Sequence, residues 1–148
     1  MRTPDVKNGL QTGREFQLRL SGEVARAAEE GLPYAVLACT PQHLPGENVE
    51  DLLQLAADCV HALVRDDDLP GVIDNEVLVI GLHDTDVMGA RIFRQRLQSD
   101  LSAKALTLRM TAWDAAFVTL HEDGNTGEEL LSAAIDAAKN RRRHLGLR

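Results

Sequence analysis

The stretch Pro33 to Pro41, PYAVLACTP, constrains this chain more than any other. Two prolines bracket a short run without a single charge and without the apolar/polar alternation of a half-exposed strand. A run of that length, closed at both ends by ladder-breaking residues, predicts a strand buried on both faces. Such a strand needs other elements above and below it, so the rest of the chain has to supply them.

The flanking segments do so. From Arg14 to Glu30, Phe16, Leu20, Val24 and Ala27 or Ala28 recur at helical spacing, and Gly31 stands where a helix ends. Residues 47–65 carry the strongest helical stripe, with Val49, Leu52, Leu53, Ala56, Ala57, Val60, Leu63 and Val64 on one face. A hairpin follows: a short strand near Gly71 to Ile73, a turn at Asp74-Asn75, where Asp and Asn tolerate left-handed backbone, and a longer strand from Glu76 to Leu82. A third helix is expected from about Val87 to Leu101, capped by Asp84 or Thr85. LTLRMTAW and DAAFVTLH then read as two strands with a break near Trp113-Asp114. Thr126 and Glu129 form an S/T-x-x-E capping box ahead of a last helix carrying Leu130, Leu131, Ala134 and Ala138. The order α, β, α, β-β, α, β-β, α predicts one α/β domain over 14–148, a ferredoxin-like mixed sheet in an α+β sandwich with helices on both faces. Residues 1–13 are expected to be a flexible segment with little to bury.

Composition narrows the function. At 148 residues and 44% apolar, the chain can bury a core without metals or disulfides. Its net charge of -7 and 3% aromatic content speak against nucleic acid, which calls for a positive field and stacking platforms. The run Arg141-Arg142-Arg143-His144 suits a solvated helix C-terminus. Cys39 and Cys59 lie in apolar runs, as free thiols of a reducing compartment do. No run approaches the roughly 18 apolar residues of a membrane span, and the polar N-terminus lacks the apolar core of a secretory signal, so a cytoplasmic location is expected. Asp84 and Asp86 read as helix N-terminal acids, His61 as a rim residue and Trp113 as packing. No P-loop, nucleophile elbow or CxxC is present.

The order of elements and several short stretches, from about Phe16 to Arg143, resemble a GGDEF (diguanylate cyclase-like) domain of the class III nucleotidyl cyclase superfamily. Asp68-Leu-Pro-Gly-Val-Ile-Asp-Asn-Glu-Val-Leu-Val-Ile-Gly-Leu-His-Asp-Thr-Asp86 is similar to the family's hairpin and following strand. His121-Glu-Asp-Gly124 with Thr126-x-x-Glu-Leu-Leu131 is similar to its "P-E-D-G" turn and "eeLl" helix. Ungapped, Asp74, Asn75, Glu76, Val77 and Leu78 fall where the signature belongs, a degenerate version of it.

What the resemblance implies is a scaffold with a dismantled site. The family holds divalent metal on carboxylates at the end of the first strand and at the third signature position, where hard oxygens also hold substrate phosphates. Here Thr40 and Gln42 replace both strand-end aspartates, and the signature position falls on Glu76 or, with a one-residue shift, on Asn75. Asp74 and Asn75 replace the glycines that let a triphosphate approach the backbone. The guanine-gripping segment is shortened to Pro45-Gly46-Glu47-Asn48 and the helix start. Neither catalysis nor a cofactor is therefore expected. Arg65-Asp66-Asp67-Asp68 matches the family's R-x-x-D inhibitory site, where arginine and aspartate bind cyclic di-GMP; an exposed helix end with Arg65 paired to nearby acids is the alternative. The expected function is a bacterial, catalytically inactive signalling module that acts through a protein partner or self-association. The alternatives are a cyclic di-GMP receptor through Arg65 and Asp68, or a nucleotide enzyme of altered chemistry using Glu76.

Overall fold

In a computed structural model, which describes residues 6–7, 10–41, 48–74, 76–108 and 113–146, the elements in chain order are as follows. They are β1 (Val6–Lys7), β2 (Leu10–Thr12), α1 (Gly13–Glu30), β3 (Tyr34–Pro41), α2 (Val49–Leu63), β4 (Leu69–Ile73), β5 (Val77–His83), α3 (Val87–Leu108), β6 (Trp113–Thr119) and α4 (Gly127–Gly146). One sheet runs β1-β2-β4-β5-β3-β6. Within it β4-β5-β3-β6 is antiparallel throughout and has the split βαβ order of a ferredoxin-like core.

Every residue of β3 is buried, as the proline-bracketed run predicted. Alternation along the strand divides its side chains between two cores. Ala35, Leu37 and Cys39 join Leu52, Leu53, Ala56, Val60 of α2 and Ala90, Leu97, Leu101 of α3. Tyr34, Val36 and Ala38 join Phe16, Leu20, Val24 of α1 and Leu130, Ala134, Ala138 of α4. A strand with water on one face would have needed polar residues at every second position. At about 1.5–3 kcal/mol for each large apolar side chain taken out of water, this double-sided burial is the main force holding the helices on the sheet.

Two glycines permit that closeness. A Cβ at Gly71 in β4 would lie 2.2 Å from the Phe16 ring, which rests against the strand. A Cβ at Gly127 would lie 2.7 Å from Ser21 Cα, where α4 crosses α1.

Local signals also hold. Gly31 ends α1 in the left-handed conformation at φ 70°, and the Leu32 N–H donates to the Ala27 carbonyl at 2.9 Å. The Glu129 N–H donates to Thr126 Oγ1 at 3.1 Å, while Glu129 Oε1 accepts from the Asn125 N–H, completing the capping box one residue earlier than its ideal form. Cys39 and Cys59 are buried free thiols, Trp113 is buried and His61 is exposed.

Three expectations are corrected. Leu10–Thr12, assigned to the flexible segment 1–13, is a strand: Gln11 and Thr12 pair parallel with Gly71 and Val72, and Leu10 is fully buried. The outer edge of β4 offers those residues a ladder that local composition does not announce. Second, α3 continues to Leu108, so the first three residues of LTLRMTAW are helical and β6 is the one strand described there. Good helix formers at Ala103, Lys104, Ala105 and Leu106 carry the helix on. Third, α3 is capped by Asp86, whose Oδ1 accepts from the Gly89 N–H at 2.9 Å, and not by Asp84 or Thr85. Among the described residues no helix is long and apolar enough to cross a membrane.

Candidate functional site

The strand registers sort the predicted site residues onto opposite ends of the sheet. Cys39 faces Leu78 and Thr40 faces Asp114, so Thr40, Asp74, Glu76 and Asp114 gather at one end. Tyr34 faces His83, which puts Arg65, Asp68, His83 and Thr85 at the other. The seven residues of β5 separate the two ends by about 20 Å.

At the first end the signature stretch builds a turn and a core. Asp74 is exposed with φ 54°, the left-handed backbone its residue type tolerates, and the Glu76 N–H closes the turn on the Ile73 carbonyl at 3.1 Å. Glu76 is half-buried. Val77 and Leu78 are buried and point into opposite cores. Thr40 is 1% exposed, and its hydroxyl has no hydrogen-bond partner among the described residues. Gln42 and Asn75 lie outside the described residues.

Divalent metal does not fit what is present there. Thr40 offers a neutral, buried hydroxyl, and among the described residues no three His, Cys, Asp or Glu side chains converge on one point.

At the second end the R-x-x-D residues form a fixed staple. Asp68 accepts from the Arg65 backbone N–H at 2.8 Å, from Arg65 Nε at 3.2 Å and from Nη2 at 2.9 Å. The same Nη2 donates to the His83 carbonyl and to Thr85 Oγ1, both at 2.9 Å, and Thr85 Oγ1 donates to the His83 carbonyl at 2.8 Å. The Asp68 side chain is fully buried, whereas that of Arg65 is 58% exposed. The hydrogen bonds it donates to Asp68 raise the guanidinium's pKa further, so its charge is permanent. The expected loose pairing at an exposed helix end is thus a bidentate fork anchored on a buried carboxylate.

The staple stands between two clefts. One, of ≈ 510 Å³, lies against α1 and is lined by Arg19, Glu23, Arg26, Asp66, Asp67 and Asp68 among others. The other, of ≈ 400 Å³, lies against α3. Arg65 and Arg96 both line it, with Leu63, Ile92 and Phe93 as apolar wall and Asp84 and Asp86 at its rim. Its size falls in the range of small-molecule sites, roughly 300–1,000 Å³. Arg96 and Thr85 are the residues that sequence reasoning missed. Arg96 sits among several arginines of α3, and nothing in the spacing ties it to Arg65; Thr85 appeared only as a rejected helix cap.

No protein-family model and no curated protein matches the sequence. Solved structures do match in fold. The GGDEF domain of DgcB from Caulobacter crescentus, in complex with c-di-GMP, superposes with a TM-score of 0.83 at 12% identity, covering 97% of this chain and 90% of that one. The active GGEEF domain of a diguanylate cyclase from Vibrio cholerae gives 0.78 at 15% identity, covering 90% and 91%. The diguanylate cyclase SiaD from Pseudomonas aeruginosa, in complex with its activator SiaC, gives 0.78 at 17% identity, covering 94% of this chain and 57% of that one. The α+β architecture expected from the sequence is thus the GGDEF fold, preserved over nearly the whole chain. At these identities the likeness is one of fold, and fold alone does not fix chemistry.

Proposed function

We propose that this chain is a cytoplasmic, catalytically inactive GGDEF-fold signalling module that binds cyclic di-GMP beside Arg65 and passes its state to a protein partner or to a second copy. The observation that carries the reading is the α3-side cleft. Two guanidiniums, Arg65 and Arg96, share its wall with Ile92 and Phe93. A cyclic dinucleotide offers two phosphates for the guanidinium forks and flat purines for the apolar side. Asp84 and Asp86 offset part of the positive charge, so hydrogen bonding and stacking have to contribute beside it. A GGDEF domain of the same fold has been captured with this ligand.

Inactivity rests on the other end of the sheet. Thr40 is a neutral, buried group where the family pattern has a carboxylate, and Asp74 brings bulk and negative charge where it has glycine. A threonine hydroxyl does not hold a divalent cation as a carboxylate does, and a carboxylate at the glycine position repels the triphosphate that such a cation would carry. Contact with another protein is supported by a same-fold cyclase bound to its activator.

Two experiments test the reading separately. Protein incubated with GTP and Mg²⁺ or Mn²⁺ is expected to yield no cyclic di-GMP, and its formation ends the claim of inactivity. Titration calorimetry with cyclic di-GMP is expected to give binding that Arg65→Ala abolishes. Absence of heat with the unaltered protein removes the ligand and leaves a module acting through protein contact alone.

A further inference from the structure

We infer that Thr85 is the positioning residue of the Arg65 site, the group that sets which way the guanidinium faces. This deepens the ligand reading given above and rests on it for its functional consequence. Asp68 holds one edge of the guanidinium, accepting from Nε on one oxygen and from Nη2 on the other. A second hold comes from the end of β5 and the residue pair beyond it, where Nη2 also meets the His83 carbonyl and Thr85 Oγ1 at 2.9 Å.

The hydroxyl's roles are determined by counting protons. Thr85 has one O–H, and the His83 carbonyl 2.8 Å away is an acceptor only, so the proton points there. A lone pair then faces Arg65 Nη2. Nη2 has two protons for three acceptors, so one goes to Asp68 Oδ1 and the other is shared between the His83 carbonyl and Thr85 Oγ1, which closes a small ring of the three groups. Thr85 is only 7% exposed, and a β-branched side chain has few rotamers to choose from, so the ring is held from a stiff support. Thr85 also lies between the end of β5 and the Asp86 cap of α3, and α3 is the helix that carries Arg96. One residue thereby keeps Arg65 aimed at the wall of the cleft that Arg96 shares.

The test compares Thr85→Val, which keeps shape and branching but removes the hydroxyl, with Thr85→Ser, which keeps the hydroxyl. Two readouts are taken: calorimetric affinity for cyclic di-GMP, and the Arg65 Nε–Hε resonance in ¹⁵N spectra of the free protein, assigned by its loss in Arg65→Ala. Thr85→Val is expected to shift that resonance and to weaken binding about tenfold, the worth of one well-placed hydrogen bond. Thr85→Ser is expected to restore the resonance and bring affinity within about threefold of the parent. A Thr85→Val protein with unchanged resonance overturns the inference whether or not the ligand binds. An unaltered protein that shows no binding, together with a resonance that shifts in Thr85→Val and returns in Thr85→Ser, overturns the ligand reading and upholds the positioning role. Equal loss of binding in both variants, with both resonances unchanged, assigns Thr85 to packing and also overturns the inference.

Discussion

Gln98 of α3 hydrogen-bonds the outer edge of β6 as a neighbouring strand would. Its Oε1 accepts from the Ala115 N–H at 3.1 Å, and its Nε2 donates to the Trp113 carbonyl. Four residues beyond Ala115, Asp123 does the same for Thr119: its carboxylate accepts the Thr119 N–H at 2.9 Å, and its own N–H reaches the Thr119 carbonyl at 3.0 Å. Because β6 is the last strand of the sheet, these groups would otherwise be a template for pairing with another chain. Gln98→Ala is therefore expected to cost about 1–3 kcal/mol, from two backbone groups left without partners. It is also expected to add concentration-dependent self-association. Light scattering across a dilution series, with hydrogen exchange at Ala115, checks both. A variant that stays monomeric and keeps Ala115 protected shows that the edge is guarded by something other than Gln98.

Two glycines of helical segments should respond to alanine with opposite signs. At Gly127 a Cβ would meet Ser21 Cα at 2.7 Å and Ser21 N at 2.9 Å, backbone that cannot step aside. Overpacking of that kind costs about 1–3 kcal/mol. At Gly22, mid-way along α1, nothing lies within 4 Å of an added Cβ. There alanine gains about 0.5–1 kcal/mol from helix propensity. Urea denaturation of the two variants beside the parent decides the matter, and the same sign for both would show that the α1–α4 crossing is not as close as described.

Much of this architecture was legible because its signals are local. Pro33 and Pro41 mark off β3, Asp74 supplies its own left-handed turn, Gly31 ends α1, and Thr126 with Glu129 begins α4. What escaped was decided by distant partners. Leu10–Thr12 is too short to be recognised as a strand without β4 beside it, and the pattern at Leu106–Leu108 suits a strand as well as a helix. The site divides the same way. Arg65 and Asp68 are three residues apart and could be read together, whereas Thr85 and Arg96 reach the same cleft from other parts of the chain. The degenerate signature was legible as a loss, but its structural employment was not: Val77 and Leu78 each serve a different core.

The hairpin turn offers a direct probe of residual strain. Asp74 is exposed and holds φ 54°, a conformation that is costly for a residue with a Cβ and nearly free for glycine. Asp74→Gly is expected to leave stability unchanged or raise it by up to about 1 kcal/mol. Asp74→Val, whose branched side chain resists that region, is expected to lower it by about 1–2 kcal/mol. Thermal melts of the pair check this. A valine variant as stable as the parent would mean that the turn does not require left-handed backbone at this position.

Alkaline pH should loosen the fold through groups that are held protonated inside it. Burial, reinforced by neighbouring Glu23, which accepts the phenol's hydrogen bond at 3.1 Å, pushes the Tyr34 hydroxyl well above its ordinary 10.0. Burial likewise raises the Cys39 and Cys59 thiols above their ordinary 9.0. Each of these groups keeps its proton to higher pH when folded than when unfolded. The unfolded chain therefore binds fewer protons once the pH exceeds the unfolded value, and the free energy of unfolding falls as pH rises. The stabilisation is complete below the ordinary values. It declines first through the thiols, from near 9.0, and then more steeply through the phenol, from near 10.0. Urea titrations between about pH 7 and about pH 11 are expected to show this two-stage loss. Tyr34→Phe, which removes the titrating phenol while keeping the ring against Val36 and Leu20, is expected to start less stable and to lose less between the two highest pH values. If the variant and the parent decline in parallel there, the alkaline sensitivity belongs to other groups and the Tyr34 proton is not held by the fold.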